Sequence, residues 1–209
     1  MTQYQGLVLD FGGVLTTSLP AAALAFEQRE GLPEGTLLTG LYLHPEAIRL
    51  TEELERGDIT QAEWNTAAGR RLGIPPGNLM GRIFADLRPE ASMIAAAAAA
   101  RRAGVKVGIL SNSVGLHPWN LYDGYDVDRH YDTVVLSGEV GMRKPDPEIF
   151  RLVLGKLGLS ARECVFVDDT AHHLPAAEEL GFAVIHAEEP TKTIAALEAL
   201  LGLPLSVGG

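Results

Sequence analysis

Apolar runs and amphipathic stretches alternate along most of this chain. Runs at 6–10, 105–111, 133–136, 164–168 and 182–186 are rich in Val, Ile and Leu and read as strands. All but the third are close to continuously apolar, the pattern of parallel strands covered on both faces. Between them the spacing turns helical, at 92–103, 147–157 and 174–180, and a closing helix is expected at 191–201. The stretch 92–103 is alanine-rich, starts at Ser92 as the expected cap and stops at Gly104, so its low complexity reads as a close-packing helix. Strands alternating with helices predict a doubly wound, mostly parallel α/β sheet. In such sheets ligands bind beyond the carboxyl ends of the strands.

The stretch 19–87 breaks the alternation. It offers helical patterns at 20–30, 45–55 and 61–72 and no convincing strand, so it reads as a helical insertion covering the end of the sheet. The expected organisation is a core of 1–18 with 88–209 and an inserted cap of 19–87. Residues 202–209 read as a loose tail, and no internal repeat is visible.

Composition narrows the function classes. At 209 residues the chain can bury a full core without a structural staple. Its single cysteine, Cys164, excludes an internal disulfide or a thiolate zinc cluster and is expected to be a buried small hydrophobe. A net charge of −10 argues against a general nucleic-acid binder, which needs a basic stripe to neutralise phosphates. No stretch approaches the roughly 20 apolar residues of a membrane span, and the first residues carry no leader pattern. A cytoplasmic protein without membrane or nucleic-acid partners is expected, with a small phosphorylated molecule compatible if a local cation holds the phosphate. Oligomeric state has no signature here.

Four polar clusters stand at the expected strand ends: Asp10, Ser111-Asn112-Ser113, Lys144, and Asp168-Asp169. Taken singly, a strand-end Asp or Ser is usually a turn former or helix cap, and a lone lysine a solvated charge. Together, a carboxylate nucleophile, hydroxyl or amide donors, a lysine and an acidic pair are the parts phosphoryl transfer needs.

At this point the chain resembles the haloacid dehalogenase (HAD) superfamily of aspartate-nucleophile hydrolases. The strings Leu9-Asp10-Phe11-Gly12-Gly13-Val14-Leu15, Gly141-Met142-Arg143-Lys144-Pro145-Asp146-Pro147 and Val165-Phe166-Val167-Asp168-Asp169 look most like the branch with the N-terminal phosphatase domain of soluble epoxide hydrolase. The resemblance implies a Rossmann-like core with a type C1 cap, and a Mg²⁺-dependent phosphatase in which Asp10 becomes an aspartyl-phosphate. It implies Asp10, the Gly12 carbonyl and Asp169 as Mg²⁺ ligands, with Asp168 behind them or acting through water, an oxygen set suited to a hard dication. Ser111 and Asn112 would bond the transferring oxygens, Lys144 would balance the charge, and Gly12 and Gly13 would bring backbone N–H groups near the phosphate.

Two departures from the family pattern matter. Most of its phosphatases place an acid two residues after the nucleophile, where this chain has Gly12. Loss of a positioned acid/base typically costs about 10²–10⁴ in rate. The expectation is a slow enzyme, a substrate with a good leaving group such as an anomeric or acyl phosphate, or a replacement acid. The second departure is His172-His173 where the branch often has Asn; His173, or less directly His172, is a candidate substitute acid, and a structural hydrogen bond is its other role. His117 is read as part of a packed loop.

The alternatives are a non-catalytic or regulatory phosphate-binding protein of the same fold and a metal-free 2-haloacid dehalogenase. Asp168-Asp169 argues against the dehalogenase. A receiver domain would carry its acidic pair near the first strand, and a dinucleotide enzyme a G-x-G-x-x-G turn that Gly12-Gly13 does not make. Glu52, Glu53, Arg56, Asp58, Trp64 and Arg88 are candidate cap contacts, although amphipathic helix faces explain most of them and Trp64 reads as core.

Overall fold

The computed structural model describes residues 4–205. Five strands, β1 (Gly6–Leu9), β2 (Lys106–Ser111), β3 (Thr133–Leu136), β4 (Cys164–Asp168) and β5 (Ala183–His186), form one parallel sheet in the order β3-β2-β1-β4-β5. β1 is central, and its register against Lys106–Ile109 and Cys164–Val167 brings the ends of β1, β2 and β4 to one edge.

Among the described residues ten α-helices surround the sheet: α1 (Leu19–Glu30), α2 (Pro45–Arg56), α3 (Gln61–Leu72), α4 (Leu79–Ile83), α5 (Ala91–Arg102), α6 (Val127–His130), α7 (Ser137–Val140), α8 (Pro147–Leu157), α9 (Leu174–Leu180) and α10 (Pro190–Leu201). Period-two side chains explain why the strands are apolar throughout. Leu7, Leu9, Val107, Ile109, Val165 and Val167 pack on one face with α5 and α10, while Val8, Leu110 and Phe166 pack on the other with α8 and α9. Complete burial of such a side chain is worth about 1.5–3 kcal/mol, so a polar residue within these runs would be strongly disfavoured. Only where the strands end can the sheet tolerate carboxylates.

The expected helix boundaries shift by a residue or so. α5 is capped by Glu90, whose side chain accepts from Ser92 N, rather than by Ser92. Its alanines are explained by packing, because Ala96, Ala97 and Ala100 are buried against the sheet where a larger side chain would hold the helix away. Cys164 is buried in β4, as expected. The tail is partly anchored: Leu205 is buried and its N–H donates to Glu198 Oε1 at 2.7 Å, while 206–209 lie outside the described residues.

α1 to α4 enclose a third apolar cluster, which includes Phe26, Leu54, Trp64 and Ile83. The chain enters and leaves this helical layer along paired crossings, with Thr17 N donating to Arg88 O and Glu90 N to Leu15 O. Two contacts seat the layer on the sheet. Gln61 donates to Val114 O and Trp119 O and accepts from Trp119 N, at 2.9–3.0 Å, while Phe84 stacks on Trp119. The end of α2 meets α7 so closely that a Cβ at Gly57 would lie 2.4 Å from Gly138 O. Among the described residues no helix is long and apolar enough to cross a membrane.

Candidate active site

The β-strand ends bring Asp10, Lys144, Asp168 and Asp169 together. Lys144 comes from the loop before α8 and is fully buried, with Nζ 2.7 Å from Asp10 Oδ1 and 2.6 Å from Asp168 Oδ2. An ammonium with no exposed surface is tolerable only because two carboxylates grip it. Burial works against its charge, yet Asp10 and Asp168 carry its pKa above the ordinary lysine range. Asn112 fixes the lysine's backbone, as Oδ1 accepts from Lys144 N at 2.8 Å and Nδ2 donates to Lys144 O at 3.1 Å.

The three acids are not equivalent. Burial would raise Asp168, but Lys144 and His173 hold it down at about 2. Its oxygens also accept from Thr170 N at 2.8 Å and face His173 Nδ1 at 3.0 and 3.1 Å. Asp169 is raised by burial and by the negative charge of Asp168. Asp10 is pushed up to about 8 by burial, with Lys144 opposing and Asp168 and Asp169 adding to the rise. One oxygen from each acid lies within 4.8 Å of the others, so three carboxylates share one ammonium. An all-oxygen set with excess negative charge fits a hard divalent cation in both donor type and charge.

The glycines of the turn differ in purpose. Gly13 has φ +75°, and a Cβ there would lie 2.1 Å from Asp169 Oδ2, so both backbone conformation and the approach of the acid demand glycine. Its N–H donates to Thr16 Oγ1 at 3.0 Å. A Cβ on Gly12 would lie 2.8 Å from Leu19 Cδ1.

His173 is buried and turned onto Asp168, whereas His172 is exposed. The geometry gives His173 the structural hydrogen bond, and His173→Ala should lower stability by about 1–3 kcal/mol, read from the urea midpoint. An unchanged midpoint would show that Asp168 owes nothing to the imidazole. His117 is exposed rather than packed. Trp64 is buried and donates to Thr51, in line with core. Arg88 is exposed and bonds its own loop at Ala85 O and Leu87 O, and Asp58 is exposed.

Two side chains near the cluster, Tyr122 and Glu55, have no strong sequence signal. Tyr122 is buried, packs its ring at a tilt against Phe11 and donates from its hydroxyl to Ser111 Oγ at 2.9 Å. Burial pushes it up to about 12, the bond to Ser111 opposing, so it remains a donor and leaves the Ser111 proton free to point elsewhere. Glu55 of α2 meets Arg143 Nε at 2.7 Å and Asn112 Nδ2 at 3.3 Å, and its carbonyl accepts from the Ser137 hydroxyl. Glu52 also reaches Arg143, at 3.3 Å. Of these partners only Asn112, as a strand-end polar residue, and Glu52, as a cap contact, were foreseeable; Leu19 and Tyr122 look like ordinary apolar positions.

The sequence model described as haloacid dehalogenase-like hydrolase matches residues 4–181. Acyl-CoA dehydrogenase family member 10 of Mus musculus is 29% identical over 216 residues, 98% of this chain and 20% of that protein, so the chain spans only a small part of its length. The sesquiterpene phosphatase astK of Aspergillus oryzae is 28% identical over 214 residues, 96% of this chain and 98% of that protein. A mutant HAD family enzyme of Bacteroides thetaiotaomicron, in complex with magnesium and inorganic phosphate, shares the fold with a TM-score of 0.69 at 23% identity, over 89% of this chain and 96% of its own. With the family's sequence model covering most of its length and its strand-end acids gathered at one sheet edge, the chain belongs to the haloacid dehalogenase-like hydrolases.

Proposed function

We propose that this hydrolase is a Mg²⁺-dependent phosphatase acting on a small phosphorylated metabolite, with Asp10 as nucleophile. The observation that carries the reading is the grip of Lys144 on both Asp10 and Asp168, with Asp169 within cation-sharing distance. Asp10, Asp169 and the Gly12 carbonyl would hold the cation, with Asp168 behind them, since its oxygens already face Lys144, Thr170 and His173. When bound, the cation supplies the positive charge that keeps Asp10 ionised beside a phosphate. The epoxide-hydrolase type of branch and the 1–18, 88–209 and 19–87 organisation belong to the same proposal.

Asp10 attacks phosphorus and its carboxylate becomes an aspartyl-phosphate, which water then hydrolyses. Lys144 holds one Asp10 oxygen and so presents the other. Ser111, accepting from Tyr122, keeps its own proton for a transferring oxygen, and the backbone N–H of Asn112 adds to it because its side-chain amide serves Lys144 and Glu55. A cytoplasmic setting fits the single, buried Cys164.

The test is phosphate release from a panel of phosphorylated compounds with Mg²⁺ and after its removal by chelation. Turnover should require the metal and return on its readdition. Metal-independent release of halide from 2-haloacids would favour the dehalogenase, and phosphate binding without turnover of any compound would favour the regulatory module.

A further inference from the structure

Given the aspartyl-phosphate reading above, on which it rests, we propose that this site takes acyl phosphates and other phosphates of acidic leaving groups, which depart without a proton from the protein. Gly12 does not occupy the left-handed region that would demand glycine, so a side chain there meets no conformational barrier and has only to displace the side chain that now fills its place. That space belongs to Leu19, the first residue of α1, with Cδ1 2.8 Å and Cγ and Cδ2 3.7 Å from the position of a Cβ on Gly12. Leu19 also packs against the apolar cluster of the helical layer, so the layer places an aliphatic side chain where a side chain at 12 would stand.

The nearby groups that carry protons are engaged elsewhere. His173 faces Asp168, and the Tyr122 hydroxyl donates to Ser111. Glu55 is engaged by Arg143 and Asn112. Lys144 spends its ammonium on two acids. A general acid must lie within hydrogen-bond reach of the atom it protonates, and here an aliphatic side chain stands at the turn beside the nucleophile.

The chemistry then divides unevenly between the two steps. In the first, the Asp10 oxygen–phosphorus bond forms, the bond from phosphorus to the leaving oxygen breaks, and the leaving group carries away its electron pair as a stable anion. In the second, a water oxygen bonds phosphorus, the Asp10–phosphorus bond breaks with its pair returning to the carboxylate, and the water's proton passes to phosphate or solvent. The second leaving group is a carboxylate and needs no acid, but the attacking water lacks a base. The covalent intermediate should therefore accumulate with an activated donor.

The experiment measures kcat/KM with saturating Mg²⁺ for aryl phosphates of graded phenol acidity, together with acetyl phosphate and an alkyl phosphate. The value should fall on the order of 10²–10⁴-fold from the most to the least acidic leaving group, with a rapid release of about one leaving group per site before steady state for the best donors. In Gly12→Asp combined with Leu19→Ala, the new carboxyl has room and the dependence should flatten. A nearly level series in the native protein with turnover retained, or an unchanged slope in the folded double variant, overturns the proposal. Absence of Mg²⁺-dependent turnover on every member, acetyl phosphate included, overturns the phosphatase reading and this proposal with it.

Discussion

Asp10→Asn should abolish turnover, lowering the rate by at least about 10⁴-fold, because the amide oxygen is a poor nucleophile and no neighbouring carboxylate occupies the same strand end. The same substitution should make the metal-free protein's stability less sensitive to rising pH, on top of a pH-independent cost for the lost contact with Lys144. Asp10 is raised from 3.8 to about 8 by burial, with Asp168 and Asp169 adding. A group raised on folding contributes stability that is present below its unfolded pKa and is lost as pH climbs through the folded one. In the metal-free wild type that loss should run between pH 3.8 and about 8, whereas Asn has no proton to lose. The stability difference between variant and wild type should thus move in the variant's favour as pH climbs through this window, with Mg²⁺ reducing that movement. A variant that keeps full activity would remove Asp10 from the chemistry; a metal-free stability difference that stays constant with pH would show that its charge is compensated without a cation.

The strands were readable because burial on both faces leaves no room for polar residues, and the acids stood out by ending those runs. Gly6–Leu9 and Cys164–Asp168 needed no information beyond their own residues and the turns beside them. The same reasoning led to Lys144, where the loop before α8 returns to the sheet edge. Other features depend on distant parts of the chain. Leu19 in the first turn of a helix has the appearance of a core residue, and only its meeting with Gly12 gives it consequence. Tyr122 lies in a segment without periodicity, and Glu55 is one acid among several on an amphipathic helix until Arg143 and Asn112 single it out. Gly13 was legible as a tight turn but not as the neighbour of Asp169, and nothing local could show that Thr16 takes its N–H.

Lys144→Met should damage stability as severely as activity. Methionine matches much of the volume of the lysine chain and can lie near Phe166, whose ring centroid is 5.7 Å from Nζ, so packing alone predicts a small change. Charge decides otherwise. Asp10 and Asp168 lose the ammonium that sits 2.7 and 2.6 Å from them, and Asp168 is wholly buried. Removing one member of a buried ion pair costs about 3–5 kcal/mol, roughly a 10 °C fall in Tm for a chain of this size. The pH dependence separates this cause from a packing defect. Asp168 now contributes stability above its unfolded value of 3.8, lost only as pH falls through about 2. Without Lys144 its pKa rises, and so does that of Asp10, so the variant gains from protonation as the solution is acidified. The gap in unfolding free energy between wild type and variant should therefore be wide near neutrality and narrow toward pH 4. A gap of constant size across that range would mean that shape, not charge, is what Lys144 contributes to the fold.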